Sequence, residues 1–274
     1  MAIDTGGADK IRGAGVVVTG GGAGIGRALA RGLAAAGARV VVNDLDAGAA
    51  AAVAGEIGGY PVPGDAATEL GVHALIAAAR EHLAEIDIYC SNAGIAVGTG
   101  PDTPDPVWQQ AWEVNVLAHV RASRELLPAW LERGRGCLVV TASAAGLLTM
   151  LGSATYSVTK HAAEGYAEWL AATYGHRGLT VHCICPQGVK TNMLAESGRA
   201  GQVVLKDAAI EPERVADALL EGMAAGRFLI LPHPEVRGYY ELRAGDTDKW
   251  LRGMSRMQQR IEEVERTLQT GAGR

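Results

Sequence analysis

The feature of this sequence that most restricts its fold is a glycine-rich turn between a short buried strand and a helix. The apolar run at residues 16–18 predicts the strand, and an alanine- and leucine-rich stretch that ends near Gly37 predicts the helix. Between them, Gly20, Gly24 and Gly26 permit a tight turn and let the main chain approach a phosphate group, whose charge a helix N-terminus stabilises. This order of elements predicts the first unit of a dinucleotide-binding α/β fold. A glycine-rich loop without a ligand is the alternative.

The next predicted strand indicates which dinucleotide the turn would hold. Residues 39–44 form a valine-rich run that ends in Asp44, 18 residues after Gly26. An acid at this place accepts hydrogen bonds from the adenosine ribose hydroxyls, and its charge repels a phosphate on the same ribose. No lysine or arginine lies between Gly20 and Gly26, and Leu45 follows the acid. The sequence therefore predicts NAD rather than NADP, with an acid that merely ends a strand as the alternative.

A tyrosine and a lysine four residues apart, Tyr156 and Lys160, form a candidate proton-transfer pair. Residues at this spacing lie on one face of a helix, about one turn apart. A free tyrosine has a pKa of about 10, and a nearby positive charge lowers that pKa toward the working pH. Ser143, upstream of the pair, supplies a hydroxyl that would hold a carbonyl or alcohol oxygen beside the phenol. The pair alone is weak evidence, because many helices carry this spacing with both residues facing water.

Strands and helices alternate along the whole chain. Helical patterns begin after Asp46, Thr68, Asp105, the region around Thr155, and Glu211. Strands are predicted at residues 16–19, 38–44, 60–64, 87–91, 137–141, 179–185 and 227–231. The alternation predicts an α/β fold, a Rossmann-type doubly wound parallel sheet of about seven strands with helices on both faces. With no internal repeats or low-complexity linkers, we expect residues 1–274 to form a single domain, with residues 1–12 as a loose tail.

Composition excludes several other classes of protein. A chain of 274 residues with 48% apolar residues can bury a large core, and it has no continuous apolar run long enough to span a membrane. The first residues lack the basic and apolar regions of a secretory signal. A net charge of −5 without a basic cluster argues against a nucleic-acid partner. The four cysteines lack zinc-ligand spacing and are expected to be buried thiols, so we expect no metal and a cytoplasmic location.

Several further motifs follow in a fixed order, and together they resemble the short-chain dehydrogenase/reductase family in its single-domain form. The resemblance covers roughly residues 13–232. It rests on Thr19-Gly20-x3-Gly24-Ile25-Gly26, Asp65, Asn92-Ala93-Gly94, Asn115, Ser143, Tyr156 with Lys160, and Pro186 to Thr191. Chance would have to reproduce all of these in the right order and spacing. The resemblance implies hydride transfer with a nicotinamide cofactor and a catalytic tetrad of Asn115, Ser143, Tyr156 and Lys160.

The resemblance also implies which residues bind the cofactor. In the family, an acid at the place of Asp65 contacts the adenine amino group, and a loop-capping role for Asp65 is the alternative. Lys160 would hold the ribose hydroxyls, and Asn115 a water that links Lys160 to solvent. The predicted cofactor-binding residues are Gly20, Gly24, Ile25, Gly26, Asp44, Asp65, Ala66, Asn92, Ala93, Gly94, Tyr156, Lys160, Val189 and Thr191. Among these, the Val189 main chain and Thr191 would hold the carboxamide.

The chain departs from the family pattern at two places near the expected cofactor. Ser91 stands where the family usually has the first asparagine of Asn-Asn-Ala-Gly, from which we expect a modest effect on stability and intact binding. Gln187 follows Pro186, where the family usually has glycine. Either Gly188 takes over the flexible role, or the Gln187 side chain reaches into the substrate space.

The expected substrate pocket is apolar. Residues 147–151, between Ser143 and Tyr156, together with Met193 and Leu194, would face a hydrophobic secondary alcohol or ketone. Ordinary core residues are the equal alternative for these positions. Residues 192–210 are expected to form a mobile lid. Among the histidines, His161 should point away from the catalytic face, and His233, between two prolines, is a candidate for the pocket rim.

The C-terminal residues 241–274 extend beyond the resemblance and are expected to be helical. The apolar residues there follow heptad-type spacing and are Trp250, Met254, Met257, Ile261, Val264 and Leu268. So short a seam is expected to pack on the same subunit or on a neighbour, rather than to form an independent coiled coil.

The motifs together favour an NAD-dependent oxidoreductase of secondary alcohols and ketones. Two alternatives stay open: a 3-oxoacyl-carrier-protein-type reductase, which typically prefers NADPH, and a non-catalytic NAD-binding regulator. The expected partner is a small-molecule substrate, with no nucleic acid and no membrane. From the resemblance, we also expect a homo-oligomer, a dimer or a tetramer.

Overall fold

Seven parallel strands form one sheet in this computed structural model, which describes residues 11–195 and 208–271. The strands lie across the sheet in the order β3-β2-β1-β4-β5-β6-β7. This order confirms the predicted doubly wound sheet, because the chain winds outward from β1 and then returns to place β4 on the other side of β1. The strands are β1 Gly15–Thr19, β2 Arg39–Asn43, β3 Tyr60–Pro61, β4 Ile88–Ser91, β5 Gly136–Thr141, β6 Leu179–Ile184 and β7 Leu229–Ile230.

Helices connect the strands and cover both faces of the sheet. Asp46 and Thr68 cap two of them as predicted, since Asp46 accepts hydrogen bonds from the amides of Gly48 and Ala49, and Thr68 accepts one from Gly71. The described helices are α1 Gly24–Ala35, α2 Ala47–Ile57, α3 Glu69–Leu83, α4 Asp105–Trp112, α5 Ala118–Glu132, α6 Ala145–Leu148, α7 Ala154–Tyr174, α8 Asn192–Ala195, α9 Pro212–Ala224, α10 Glu235–Gly245 and α11 Thr247–Gly271. A π-helical turn, Glu113–Leu117, joins α4 to α5.

The core lies in two layers because side chains alternate across each strand. In β1, Val17 packs with residues of α3, α5 and α7, whereas Val16 and Val18 pack with residues of α1, α2 and α9. All three valines are fully buried. Burial on both faces explains why the sequence reads as continuous apolar runs rather than as alternating patterns.

The edge strands are shorter than predicted. Strand β3 pairs through only two residues, Tyr60 with Val41 and Pro61 with Val42. Pro61 and Pro63 carry no amide hydrogen, so they cannot extend the hydrogen-bond ladder. At the other edge, β7 pairs only Leu229 and Ile230, and a proline at residue 232 follows closely.

The C-terminal extension consists of two helices, and the first begins before residue 241, where we expected the extension to start. Of the predicted apolar seam, Trp250 packs against the core of the same chain and Ile261 is buried, but Met257 is 42% exposed. The side chains of Val264 and Leu268 lie outside the described residues, as do residues 196–207 of the expected lid. Within the described ranges, no helix has the length and apolarity needed to cross a membrane.

Candidate active site

The glycine turn lies at the carboxyl ends of β1 and β4, where the winding direction of the sheet changes. Gly20 and Gly24 have φ values of 61° and 51°, which side chains rarely permit. A Cβ at Gly26 would lie 1.9 Å from the Gly20 carbonyl oxygen, so only glycine allows the helix to pack this closely on the turn. This geometry fits a pyrophosphate at the N-terminus of α1.

Asn92 ties the glycine turn to the neighbouring strands. Its side-chain amide nitrogen donates to the Thr19 carbonyl at 2.9 Å, and its side-chain oxygen accepts from the Thr141 hydroxyl at 3.0 Å. The main-chain amides of Asn92 and Ala93 both donate to the Thr19 hydroxyl. A Cβ at Gly94 would lie 3.3 Å from the Lys160 Nζ, so glycine lets this loop pass close to the lysine. These contacts bring the ends of β1, β4 and β5 together.

Asp44 closes the turn from the side of β2. Its carboxylate accepts hydrogen bonds from the amides of Gly22 at 2.9 Å and Asp46 at 3.1 Å. The side chain is half-buried, whereas Leu45 next to it is 77% exposed. A carboxylate has about four lone-pair sites, so capacity remains to accept from ribose hydroxyls.

Asp65 has a local partner, the amide of Ala67, which donates to it at 2.8 Å. Helix α3 is capped by Thr68 instead, so Asp65 closes the turn before the helix rather than capping it. Ala66 is buried beside it. Contact of Asp65 and the Ala66 amide with adenine stays a prediction.

Tyr156 and Lys160 lie on one face of α7, as their spacing predicts. The Lys160 Nζ lies 5.6 Å from the centroid of the Tyr156 ring and donates to the Thr141 carbonyl at 2.8 Å. Lys160 is 3% exposed, and Tyr156 is half-buried. The Ser143 hydroxyl interacts with the Tyr156 phenol across the cleft. Three predicted catalytic side chains therefore meet at the carboxyl end of β5.

The pKa values of this pair differ from the simple expectation. Burial raises the pKa of the Tyr156 phenol, and its contact with Ser143 only partly offsets the increase. Burial also lowers the pKa of Lys160 to about 8. In the protein alone, the net change in the phenol pKa is therefore an increase, opposite to the expected direction, because desolvation by burial is the largest contribution. A lower phenol pKa requires another positive charge near the ring.

Asn115 lies in the π-helical turn and is fully buried. Its side-chain oxygen accepts from the Ile95 amide at 2.9 Å, and its nitrogen donates to the Ile95 carbonyl at 2.9 Å and to Thr159 at 3.1 Å. Both amide hydrogens are therefore used within the protein. Single π-helical turns occur frequently at functional sites. Whether Asn115 also holds a water stays a prediction, and its two amide hydrogens are not free for that role.

His119 is a residue that the sequence reasoning missed. It is fully buried in the first turn of α5, and its Nδ1 lies 2.6 Å from the hydroxyl of Ser91. Burial and the nearby charge of Lys160 lower the pKa of His119 to about 3, so the ring is neutral. Ser91, the first departure from the family pattern, therefore has a specific partner. The signal was the departure itself, since a smaller residue on β4 leaves room for a larger one opposite.

The loop after β6 reaches Ser143 through main-chain contacts. The Pro186 carbonyl accepts from the Ala144 amide at 2.8 Å and from the Ser143 hydroxyl at 3.4 Å. The Gln187 amide donates to His233 Nδ1 at 3.1 Å, and the Gln187 side chain is half-buried. His233 itself is 2% exposed, so it lies behind this loop rather than at a solvent-facing pocket rim.

The residues predicted to hold the carboxamide follow in the same loop. Val189 is buried and forms a β-bridge with Ile210. A Cβ at Gly24 would lie 3.0 Å from the Thr191 side chain. The loop after β6 therefore meets the glycine turn, as a cofactor spanning both would require.

The predicted substrate-facing segment is only partly a pocket wall. Leu147 and Leu148 are buried and pack in the core, which agrees with the alternative that they are ordinary core residues. Thr149 is exposed with φ 75°, an unusual value for a residue with a branched side chain. Met150 exchanges two hydrogen bonds with the Ser157 hydroxyl, at 2.9 Å and 3.0 Å, and Met193 is 38% exposed. These three side chains remain candidates to face a substrate.

Comparison with known proteins gives a consistent result. A family model described as short chain dehydrogenase matches residues 14–201. The chain is 34% identical over 251 residues to 1-deoxy-11-beta-hydroxypentalenate dehydrogenase of Streptomyces exfoliatus, a match that covers 85% of this chain and 87% of that protein.

Solved structures share the fold. A short chain dehydrogenase/reductase from Burkholderia phymatum in complex with NAD superimposes with a TM-score of 0.79 and 28% identity, over 87% of this chain and 95% of that one. The 3-ketoacyl-(acyl-carrier-protein) reductase of Brucella melitensis, complexed with NADH, gives a TM-score of 0.75 and 25% identity, over 81% and 96% of the two chains.

Proposed function

Because this chain belongs to the short chain dehydrogenase family and is an oxidoreductase of hydroxyl and keto groups, we propose that it uses NAD, with Tyr156 as the general acid and base. The substrate is a hydrophobic secondary alcohol or the corresponding ketone. The observation that carries the proposal is the meeting of Tyr156, Ser143 and Lys160 beside the glycine turn. The name of the Streptomyces relative, a dehydrogenase of a hydroxypentalenate, supports a hydroxyl group as the site of oxidation.

Several residues at the strand ends support NAD as the cofactor. The positive-φ glycines leave room for the pyrophosphate, and the half-exposed Asp44 carboxylate suits an unphosphorylated ribose. Lys160 would bind the other ribose, and Thr191 with the Val189 main chain would bind the carboxamide. When bound, the cofactor supplies the hydride acceptor for oxidation and the hydride donor for reduction.

The protein then has to move one proton and hold one oxygen. Ser143 turns its single hydroxyl hydrogen from the Pro186 carbonyl to the substrate oxygen, and thereby holds that oxygen beside the Tyr156 hydroxyl. In oxidation, the Tyr156 phenolate accepts the alcohol proton; in reduction, the phenol gives a proton to the ketone oxygen. Lys160, buried and bonded to the Thr141 carbonyl, stabilises the phenolate by its charge. Burial raises the phenol pKa in the protein alone, so we propose that base catalysis requires the oxidised cofactor's positive charge as well.

The test is a screen of secondary alcohols with NAD and with NADP, followed by the Tyr156→Phe variant on the best substrate. We expect turnover to fall at least about 1,000-fold in this variant, with the Kd for NADH nearly unchanged, since only the proton-transfer group is lost. Tyr166→Phe is the matched control, because it removes another hydroxyl from α7, one that interacts with Ser123. A Tyr156→Phe rate within about tenfold of the parent would refute the assignment of the base.

A carrier-protein substrate is the second candidate, favoured by the similarity to the Brucella reductase. That structure contains NADH, so a preference for NAD does not by itself exclude this activity. The same screen includes a 3-oxoacyl thioester on the carrier protein and on a small thiol. Rapid reduction of the carrier-bound form alone would favour the reductase, whereas oxidation of free alcohols favours the main proposal.

A further inference from the structure

His233 links the C-terminal part of the chain to the loop that carries Pro186. It stands between Pro232 and Pro234, each of which restricts its own φ and thereby limits the freedom of the segment. The ring is 2% exposed, and its Nδ1 accepts a hydrogen bond of 3.1 Å from the Gln187 amide. A ring nitrogen here takes the place of a main-chain carbonyl as the acceptor of a loop amide.

The direction of this hydrogen bond defines the tautomer of the His233 ring. A main-chain amide can only donate, so Nδ1 must carry a lone pair, and the neutral ring carries its hydrogen on Nε2. Burial lowers the pKa of His233, which also favours the neutral form. The carbonyls of Gly188 and Ala208 face the ring, yet Nε2 makes no well-formed hydrogen bond with any residue in the described ranges. The well-formed contact is therefore the one with Gln187.

The amide held by His233 adjoins the carbonyl that holds Ser143. Gln187 supplies the amide of the peptide group whose carbonyl belongs to Pro186, and this carbonyl accepts from the Ser143 hydroxyl and from the Ala144 amide. Because that peptide group is planar, fixing its hydrogen on one side orients its oxygen on the other. The histidine thus acts on Ser143 through one rigid unit.

A second contact from the same part of the chain reaches the other side of Ser143. Arg243, in the last turn of α10, donates to the carbonyl of Leu147. Val236, at the start of α10, is fully buried and anchors the helix in the core. The loop after β6 and helix α6, which follows Ser143 in the chain, are therefore both tied to the segment 233–243.

We propose that His233 is a positioning residue, which orients the Pro186–Gln187 peptide group and thereby sets the place of Ser143 and of the loop predicted to hold the carboxamide. This role rests on the proposed function. The bond is made by the Gln187 main-chain amide, and its acceptor is a side chain from the segment between β7 and α10.

Three substitutions at one site separate positioning from simple stability. His233→Asn keeps an acceptor oxygen at about the place of Nδ1, whereas His233→Gln places its amide nearer to that of Nε2, and His233→Leu has no acceptor. His182→Asn is the matched control, since His182, on β6, is equally buried but interacts with the Arg227 carbonyl. Each folded protein is measured for kcat, KM, the Kd for NADH, and hydrogen exchange at the Gln187 amide.

We expect kcat to fall about 10- to 100-fold in His233→Gln and His233→Leu, because a small displacement of a substrate-holding group has effects of this size. His233→Asn should keep kcat within about threefold of the parent, and the Kd for NADH should change little in all variants. Exchange at the Gln187 amide should be slow in the parent and in His233→Asn, and at least about tenfold faster in the other two.

Other outcomes overturn the proposal. Equal losses in all three variants would show a merely structural role, and so would losses no larger than that of His182→Asn. Should His233→Leu not fold, the comparison of asparagine with glutamine decides alone, and rapid exchange of the Gln187 amide in the parent would refute the hydrogen bond itself. A parent protein that oxidises no alcohol would refute the proposed function. An active parent whose His233 variants keep the same kcat would refute only the role of His233.

Discussion

Replacing Asp44 by alanine should change the cofactor preference of the enzyme. The Asp44 carboxylate is the only described acidic side chain that closes the glycine turn, where it accepts from the Gly22 amide at 2.9 Å. It stands at the end of β2, where the adenosine ribose is expected. The substitution removes both an acceptor for the ribose hydroxyls and a charge that repels a ribose phosphate.

The magnitude follows from these two effects. A hydrogen bond to a charged group contributes about 1.5–3 kcal/mol, and Asp44 is half-exposed, so we take the lower limit, which is about tenfold in the Kd for NADH. Two unit charges 4 Å apart repel by about 1 kcal/mol in water and more at a protein surface, so NADPH binding should improve by about fivefold or more. Together, the preference for NADH over NADPH should fall about 50-fold.

The assay is fluorescence titration of Asp44→Ala with NADH and NADPH, beside steady-state kinetics with both cofactors. Asp46→Ala is the control, since this neighbouring acid accepts from the amides of Gly48 and Ala49 and caps α2. It should lose about 1 kcal/mol of stability but keep the cofactor ratio. If the ratio of the two Kd values, for NADH and for NADPH, changes by less than about twofold in Asp44→Ala, Asp44 does not contact the adenosine ribose and another residue determines the preference for NAD.

Three other predictions test the site from different sides. Gly26→Ala should abolish NADH binding in titrations, because the new Cβ would lie 1.9 Å from the Gly20 carbonyl oxygen; retained binding would show that the turn can relax. Lys160 has a pKa of about 8 in the folded protein and 10.5 in the unfolded chain, so the unfolded chain binds more protons between these two pH values. The free energy of unfolding should therefore rise by about 3 kcal/mol as the pH is raised across this range, relative to Lys160→Met. Urea titrations of the cofactor-free protein measure this rise. No rise would mean that the ammonium stays hydrated. Ser91→Ala should lower the free energy of unfolding by about 1–3 kcal/mol, because it removes the hydrogen-bond partner of the buried His119 ring. His119→Phe should then destabilise the Ser91→Ala protein less than it destabilises the parent. Additive losses of stability in this double-mutant cycle would contradict the pairing.

Local patterns in the sequence were enough for the fold and for the groups at the strand ends. The strands are buried on both faces, so they read as apolar runs, and caps such as Asp46 and Thr68 mark the helices directly. The spacing of Tyr156 and Lys160 places them on one helix face. Short motifs of this kind depend on neighbours in sequence, which is why they are legible without a structure.

Contacts between distant segments could not be read in this way. Ser91 and His119 pair across two elements, and although the departure at Ser91 indicates an altered contact, it does not show that His119 is the partner. His233 was noticed for its flanking prolines, but its partner is Gln187, on a loop that follows a different strand. The burial of Leu147 is a third case, since apolar residues beside a catalytic serine suit a pocket wall and a core equally. Packing decides these cases, and packing is a property of the whole chain.

The hydrogen bonds that His233 and Arg243 make with the Gln187 amide and the Leu147 carbonyl can form only late in protein synthesis. His233 and Arg243 are translated after every strand of the sheet, so they leave the ribosome well after the glycine turn. At about 5–20 residues per second, the roughly 200 residues from Gly26 to His233 take about 10–40 s to synthesise. During that time the nascent chain already contains the glycine turn, but not the partners of the Gln187 amide and the Leu147 carbonyl. The growing chain therefore has the means to hold a dinucleotide before the loops around Ser143 are secured.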